Sequence, residues 1–323
     1  MMNNLDDFFN SFILKFSEKK PFDTKTYLYA DYFELMALFN NRNIITRGEI
    51  LDRLKDEGII KQAKNQDEQA QENDENEAFI RRVFLLVSQR NISFNDDYPF
   101  VYANESLVLK EELNIKNKLY IHLLLSSNLY LFPKSFESFL TTEFELLSEE
   151  ALKNYLPDFA IVKSFGENSE FKGYTKDKIK QLSKLMRLDS QDEFLDTIAE
   201  KGTKDLGLDI VGWLPFDDMI GNYISVFVQC ACGKNWNNKI SETKRYNRLL
   251  KPYLSNFKHS LFIPYSLINY NKSTFFEHHE FGENILIFER KRILSLIKNE
   301  NIYNTLRSAE FIERCIDYEE DIV

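Results

Sequence analysis

Cysteine is scarce in this sequence. The 323 residues hold three, at positions 230, 232 and 315; that is too few for a disulfide framework, and the odd count suits a reducing cytoplasm. No stretch reaches the ~18 consecutive apolar residues of a membrane span, and the opening residues MMNNLDDFF lack the basic flank of a secretory signal. A soluble protein with no membrane partner is expected. There is no P-loop, no Gly-rich dinucleotide turn, no Gly-x-Ser-x-Gly and no internal repeat, which leaves little behind a nucleotide-hydrolysing, oxidoreductase or esterase reading. Cys230-x-Cys232 is followed by no second Cys/His pair, so a zinc hydrolase lacks its ligands. Strand alternation puts both thiols on the face opposite Gln229 and Ala231, where they read as packed core groups.

What is present is a chain long enough for two domains, with 43% hydrophobic residues, too many for wholesale disorder. The net charge is −10, which opposes nucleic-acid binding unless the bases are gathered in one place. They are gathered. Between 234 and 258 stand Lys234, Lys239, Lys244, Arg245, Arg248, Lys251 and Lys258 against the single acid Glu242, a solvated helix face or a phosphate-binding groove.

Helical spacing predicts short helices over 32–39 and after Thr46-Arg47-Gly48-Glu49, whose Thr and Glu have capping-box spacing. Residues 61–77 carry six acids between Asp67 and Glu77 and almost nothing apolar, and read as a flexible loop. A third helix over 78–89 and a hairpin over 98–109 complete the order of a winged helix, whose third helix would offer Arg81, Arg82, Gln89 and Arg90 to a DNA groove. Residues 119–131, apolar all round, predict a buried helix with His122 as a core histidine. The pair His278-His279, between Glu277 and Glu280, reads as an exposed polar turn.

Beyond Pro133 the pattern turns mixed. A helix over 142–155 is expected to stop at Pro157. A strand follows over 160–165, then a basic helix over 172–187 with Ile179, Leu182 and Leu185 inward and Lys176, Lys178, Lys180, Lys184 and Arg187 outward. Two buried strands come next, around Asp209 and before Gln229, each interrupted by one polar side chain. The short loop 214–222, with Pro215 and Gly221, makes them hairpin neighbours, so two oxygen-bearing side chains meet at one sheet end, an arrangement suited to a hard cation. Strands over 261–267, at an edge because of Pro264, and 284–288, and a helix over 290–298, close the chain.

At these residues the segment resembles the PD-(D/E)xK nuclease superfamily, in which a helical Glu precedes three core strands, Asp stands on the second and (E/Q)xK on the third. The resemblance implies Glu145 as the helix acid, with Glu143 as fallback, Asp209 and Gln229 as the strand positions, and all three of Glu145, Asp209 and Gln229 around Mg2+ or Mn2+. Read without the resemblance, Glu145 is equally the capping-box partner of Thr142, three residues before it. Ala231 stands where the family has lysine, and Lys234 is the nearest cation in sequence. The expectation is an α/β chain: a winged-helix-like module over 1–132, then a restriction-endonuclease-like mixed-sheet domain over 133–323. Its implied activity is metal-dependent DNA endonuclease in restriction or anti-phage defence. Double-stranded DNA would lie along Lys239, Lys244, Arg245, Arg248, Lys251, Lys176, Lys180, Arg81 and Arg82; other defence-system subunits or a second copy of the chain are further partners it allows. The alternative is a catalytically decayed nuclease fold that serves as a scaffold.

Overall fold

The computed structural model describes residues 2–16, 25–60, 66–166, 169–201, 206–253, 256–281 and 285–318, and gives the backbone alone at 2–4, 66–72 and 280. It is a mixed α/β structure in two compact units. The first takes in Met1–Leu140, Tyr265–His278 and Glu300–Val323, the second Thr141–Pro264 and His279–Asn299. The sequence reading places a single cut after residue 132; in the fold the cut falls inside a helix, and two later segments return to the first unit. Among the described residues no helix is long and apolar enough to cross a membrane.

In the first unit, α1 (Met2–Phe9) precedes α2 (Thr26–Phe39), a helix buried on every side. Strand β1 (Ile44–Thr46) leads into α3 (Arg47–Asp56), which starts on the expected capping box: Thr46 Oγ1 accepts from the Glu49 amide and Glu49 accepts from the Thr46 amide. Next come α4 (Gln66–Phe94), β2 (Phe100–Ala103) and β3 (Ser106–Leu109), with antiparallel sheet order β1-β3-β2. The acidic segment is therefore helical from residue 66, which corrects the loop expected over 61–77; residues 61–65 lie outside the described ones. Gln, Glu and Ala are good helix formers, and the stretch is continuous with the amphipathic turns that bury Phe79, Ile80, Val83 and Val87.

A second correction concerns Arg90. It faces inward, fully buried, where its Nη1 donates to Asp31 Oδ1 and Glu34 Oε1, both at 2.7 Å, and its Nη2 to the Tyr27 carbonyl at 3.1 Å. Tyr98 and Tyr120 donate to the two Glu34 oxygens at 2.8 Å, and Ser127 donates to Asp31 Oδ2 at 3.0 Å. A guanidinium is the donor that can satisfy two buried carboxylates from one fork. Gln89 bonds Asn271 rather than facing outward unengaged, whereas Arg81 and Arg82 are exposed as expected. Helix α5 (Ile115–Ser126) is the expected apolar helix, and His122 is buried within it.

Helix α6 (Lys134–Tyr155) begins directly after Pro133, whose carbonyl accepts from the Phe136 and Glu137 amides. Thr142 thus sits in mid-helix, so it is no N-cap and Glu145 has no capping box to complete. The second unit is built on five strands: β4 (Ile161–Ser164), β5 (Ile210–Trp213), β6 (Ser225–Cys230), β7 (Lys258–Phe262) and β8 (Ile285–Phe288). Their order is β8-β7-β6-β5-β4; β4, β5 and β6 run antiparallel to their neighbours, while β6, β7 and β8 are parallel. Strand β7 is interior, which corrects its expected edge position: Pro264 falls beyond Phe262, the last paired residue, and removes no ladder bond.

Helix α7 (Thr175–Met186) packs Ile179, Leu182 and Met186 with Val211, Trp213 and Phe227 of β5 and β6. On the opposite face Gly212 admits α6: a Cβ there would stand 3.4 Å from Leu152 Cδ2 and 3.0 Å from Leu156 Cδ1. Helix α8 (Arg290–Leu296) follows β8. Two α7 assignments are reversed. Leu185 is exposed and Lys178 is buried, because 178, 182 and 186 share one face at spacings of four.

Substituting Arg90→Met should cost about 3–5 kcal/mol of stability, since Asp31 and Glu34 would be left buried without their cation. Urea unfolding measures this directly. A loss below about 1 kcal/mol would mean that the two acids shed their charge or reach water instead.

Candidate active site

The register that pairs Ile210 with Val228 sets Asp209 beside Gln229 at one end of the sheet. Asp209 donates its amide to the Val228 carbonyl at 2.9 Å, and its own carbonyl accepts from Phe165 at 2.7 Å, so the residue links β4, β5 and β6. Both side chains are only 6% exposed. Asp209 Oδ2 accepts from Gln229 Nε2 at 2.7 Å and from the Cys230 amide at 2.5 Å; Nε2 also donates to the Cys230 carbonyl at 3.0 Å. These donors are what allow a carboxylate to stand in an apolar sheet. Gln229 Oε1 is buried and has no hydrogen-bond donor among the described residues.

Glu145 approaches the same end from α6: its Oε2 lies 3.6 Å from the point where a Cβ of Gly166 would be, just beyond β4. Burial first, and then the negative charges of Asp209 and Glu145, push the thiols of Cys230 and Cys232 well above the ordinary range. Both carboxylates therefore act on the same two sulfurs. The thiols are free, as expected. Glu143, the fallback acid, is buried.

Ala231, where the resemblance would put lysine, is buried, with its amide bonded to the Phe262 carbonyl. Lys234 is exposed on the loop after β6. A buried cation that sequence reasoning missed is Lys178: it is 7% exposed, and its Nζ donates to the Gly166 carbonyl at 3.1 Å. Lys178 thus bonds the backbone of Gly166, and Glu145 comes close beside that residue. The four-residue spacing with Leu182 and Met186 was the available signal.

Beyond the strand end, the turns Glu242–Arg245 and Tyr246–Leu249 fold back toward β6. His259 on β7 is clamped between them, with Nε2 accepting from Asn247 Nδ2 at 3.1 Å and Nδ1 facing Thr243 Oγ1 at 3.0 Å. Its burial, reinforced by the Lys244 charge, pushes the imidazole down to about 4. Of the expected basic residues, Lys239, Arg245, Arg248, Lys251 and Lys180 are exposed, and Lys244 and Lys176 half-buried. Lys239 stands 3.4 Å from Glu242 and Lys176 3.5 Å from Asp196. His278 and His279 are exposed on a single turn, as expected of a polar turn.

Among the described residues, no group of three or more His, Cys, Asp and Glu side chains is arranged to hold a metal ion. The oxygen donors gathered at the sheet end are two carboxylates and one amide. No family model matches the chain, and no curated protein or solved structure matches it either.

His259 makes stability depend on pH with a defined sign. Between about 6.5 and 4 the unfolded imidazole binds a proton that the folded one refuses, so stability falls as pH drops through that window. Urea titrations at pH 7 and pH 4.5 should show His259→Gln lacking this loss, which amounts to at most about 3 kcal/mol. Parallel profiles for wild type and variant would refute the assignment.

Proposed function

We propose that the chain is a metal-dependent DNA endonuclease of the PD-(D/E)xK type that hydrolyses phosphodiesters in the cytoplasm, in restriction or anti-phage defence. The observation that carries this reading is the convergence at one sheet end of Asp209, Gln229 and Glu145, in the order helix acid, second strand, third strand. The donor set suits a hard cation in kind, since Asp209 and Glu145 offer carboxylates and Gln229 an amide whose Oε1 is buried without a donor, although Nε2 is the end that faces Asp209 here. Asp209, Glu145 and Gln229 would hold Mg2+ or Mn2+. When bound, the ion supplies Lewis-acid activation of a phosphate oxygen and a water of lowered pKa.

The chain's own contribution is charge and position. Asp209 is held by three strands, so its carboxylate is oriented before any ligand arrives. With Ala231 at the family's lysine position, the cation that stabilises the extra phosphate charge must come from elsewhere. Lys178, buried beside Gly166, is better placed for this than the exposed Lys234. The bases Lys239, Lys244, Arg245, Arg248, Lys251, Lys176 and Lys180 supply sequence-independent phosphate attraction. In the first unit, the order α2-β1-α3-α4-β2-β3, with β1 paired to β3, supports a winged helix that presents Arg81 and Arg82 to duplex DNA.

Supercoiled plasmid with Mg2+, Mn2+ or EDTA tests the reading. Wild type should nick or linearise it with either metal and not with EDTA, and Asp209→Ala should lose at least about 10²-fold in rate while keeping its circular dichroism spectrum. Ala231 also gives the scaffold reading its footing, and wild type that shifts DNA without cutting it under all three conditions would establish that alternative.

The cation assignment is tested separately. Lys178→Met should lower turnover at saturating DNA by about 10²- to 10³-fold, more than Lys234→Ala does. Lys244→Ala should instead raise the half-saturation concentration and reduce the salt slope by about one. A larger turnover loss at Lys234 would return the role to the loop lysine.

A further inference from the structure

Gln229 uses only half of its amide. Nε2 is doubly engaged, on Asp209 and on the Cys230 carbonyl, while Oε1 accepts nothing among the described residues. The surroundings of Oε1 are unfavourable as well. Gly207 has φ +82°, and a Cβ placed on it would stand 2.6 Å from Gln229 Oε1 and 2.6 Å from Glu242 Oε2. An amide oxygen and a carboxylate oxygen thus converge on one spot, both acceptors. Only a residue without a side chain leaves room for them there.

Half a turn of the amide about its last torsion exchanges the two ends. The NH2 would then turn toward the Glu242 carboxylate, to which it could donate a charge-assisted bond, and Oε1 would turn toward Asp209 Oδ2 and the Cys230 carbonyl. Without a cation this second arrangement sets three oxygens against one another. A hard divalent ion, if bound, would take those same oxygens as ligands. The ion therefore selects between the two orientations, and the carboxylate of Glu242 favours the one in which the oxygen faces Asp209.

We propose that Glu242 is a positioning residue that holds the Gln229 amide in its metal-binding orientation. The inference rests on the metal-site reading of Asp209 and Gln229 given above. Glu242 is itself well fixed. Thr243, beside it, is buried against His259, and Tyr246, one turn on, packs in the core with Phe165 and Phe227. Its Oε2 is 3.4 Å from the exposed Lys239 Nζ.

Binding of Mn2+ alone to the full chain, measured by calorimetry, tests this with Glu242→Gln, Glu242→Ala and Asp209→Asn. Both Glu242 variants should weaken Mn2+ by about 10- to 100-fold, as loss of a residue that orients a metal ligand does. The carboxamide of Glu242→Gln can donate to Oε1 in the ion-free orientation, so that variant should melt no lower than wild type without metal, and Glu242→Ala should melt lower. A merely structural role would not pair undiminished stability with weakened metal binding. In a Gln229→Glu background there is no amide to turn, and the effect of Glu242→Gln should vanish. In the wild type, the Gln229 side-chain NH2 resonance should shift on addition of Mg2+, a measurement that needs no altered Glu242. Undiminished Mn2+ affinity in Glu242→Gln, or an effect that persists in full in Gln229→Glu, overturns the proposal. If Asp209→Asn loses Mn2+ binding and Glu242→Gln does not, the Glu242 inference alone fails. If wild type takes up no Mn2+, the metal-site reading fails and takes the inference with it.

Discussion

The second unit is organised around a carboxylate buried where β4, β5 and β6 come together. A charged group removed from water demands donors, and Asp209 obtains them from the Gln229 amide and the Cys230 backbone. This ties the register of the β5–β6 hairpin to the position of one side chain: a slip by one residue would turn Asp209 and Gln229 to opposite faces and leave the charge without its partners. The same constraint brings Glu145 and Lys178 to the neighbouring Gly166. The proposed chemistry and the register of the sheet rest on one set of contacts.

The first unit meets a similar problem with the opposite solution. Arg90, Asp31 and Glu34 are fully buried together, and three hydroxyls donate to the same two carboxylates. Such a cluster does not by itself raise stability over an apolar core, but once present it makes each member hard to remove. An arginine that the sequence offers as a DNA contact is thus committed to packing. What α4 presents outward is Arg81 and Arg82, next to an acidic first half that includes Glu75 and Glu77, the latter paired with Arg47 at 2.9 Å.

Much of the fold was legible. The capping box at Thr46 and Glu49, the hairpin at 100–109, the all-apolar α5 and the polar interruptions at 209 and 229 each carry a local physical signature, and each lies where that signature points. The errors share one cause. The acidic stretch before residue 78 was judged by polarity, although Glu, Gln and Ala favour helix. Thr142 and Glu145 have capping-box spacing, but Pro133 starts the helix two turns earlier. Pro264 marks an edge strand only if it lies within the ladder, and it lies just past it. In each case the local rule depends on where the element begins or ends, which neighbouring residues alone do not fix.

By itself the sequence determined which side chains could carry chemistry: periodicity and composition mark an acid and an amide inside buried strands and a run of bases after the strand. It determined too that the chain alternates helices and strands, since these patterns are local in the backbone. Tertiary structure alone decided which charges are used inside the protein. Lys178 and Arg90 look like surface bases until the helix face that carries them is packed against a core, because burial depends on what lies opposite. The meeting of Gln229 Oε1 with Glu242 over Gly207 belongs to the same class. It joins residues 207, 229 and 242 through a turn, a strand end and a returning loop, and no spacing along the chain encodes that encounter.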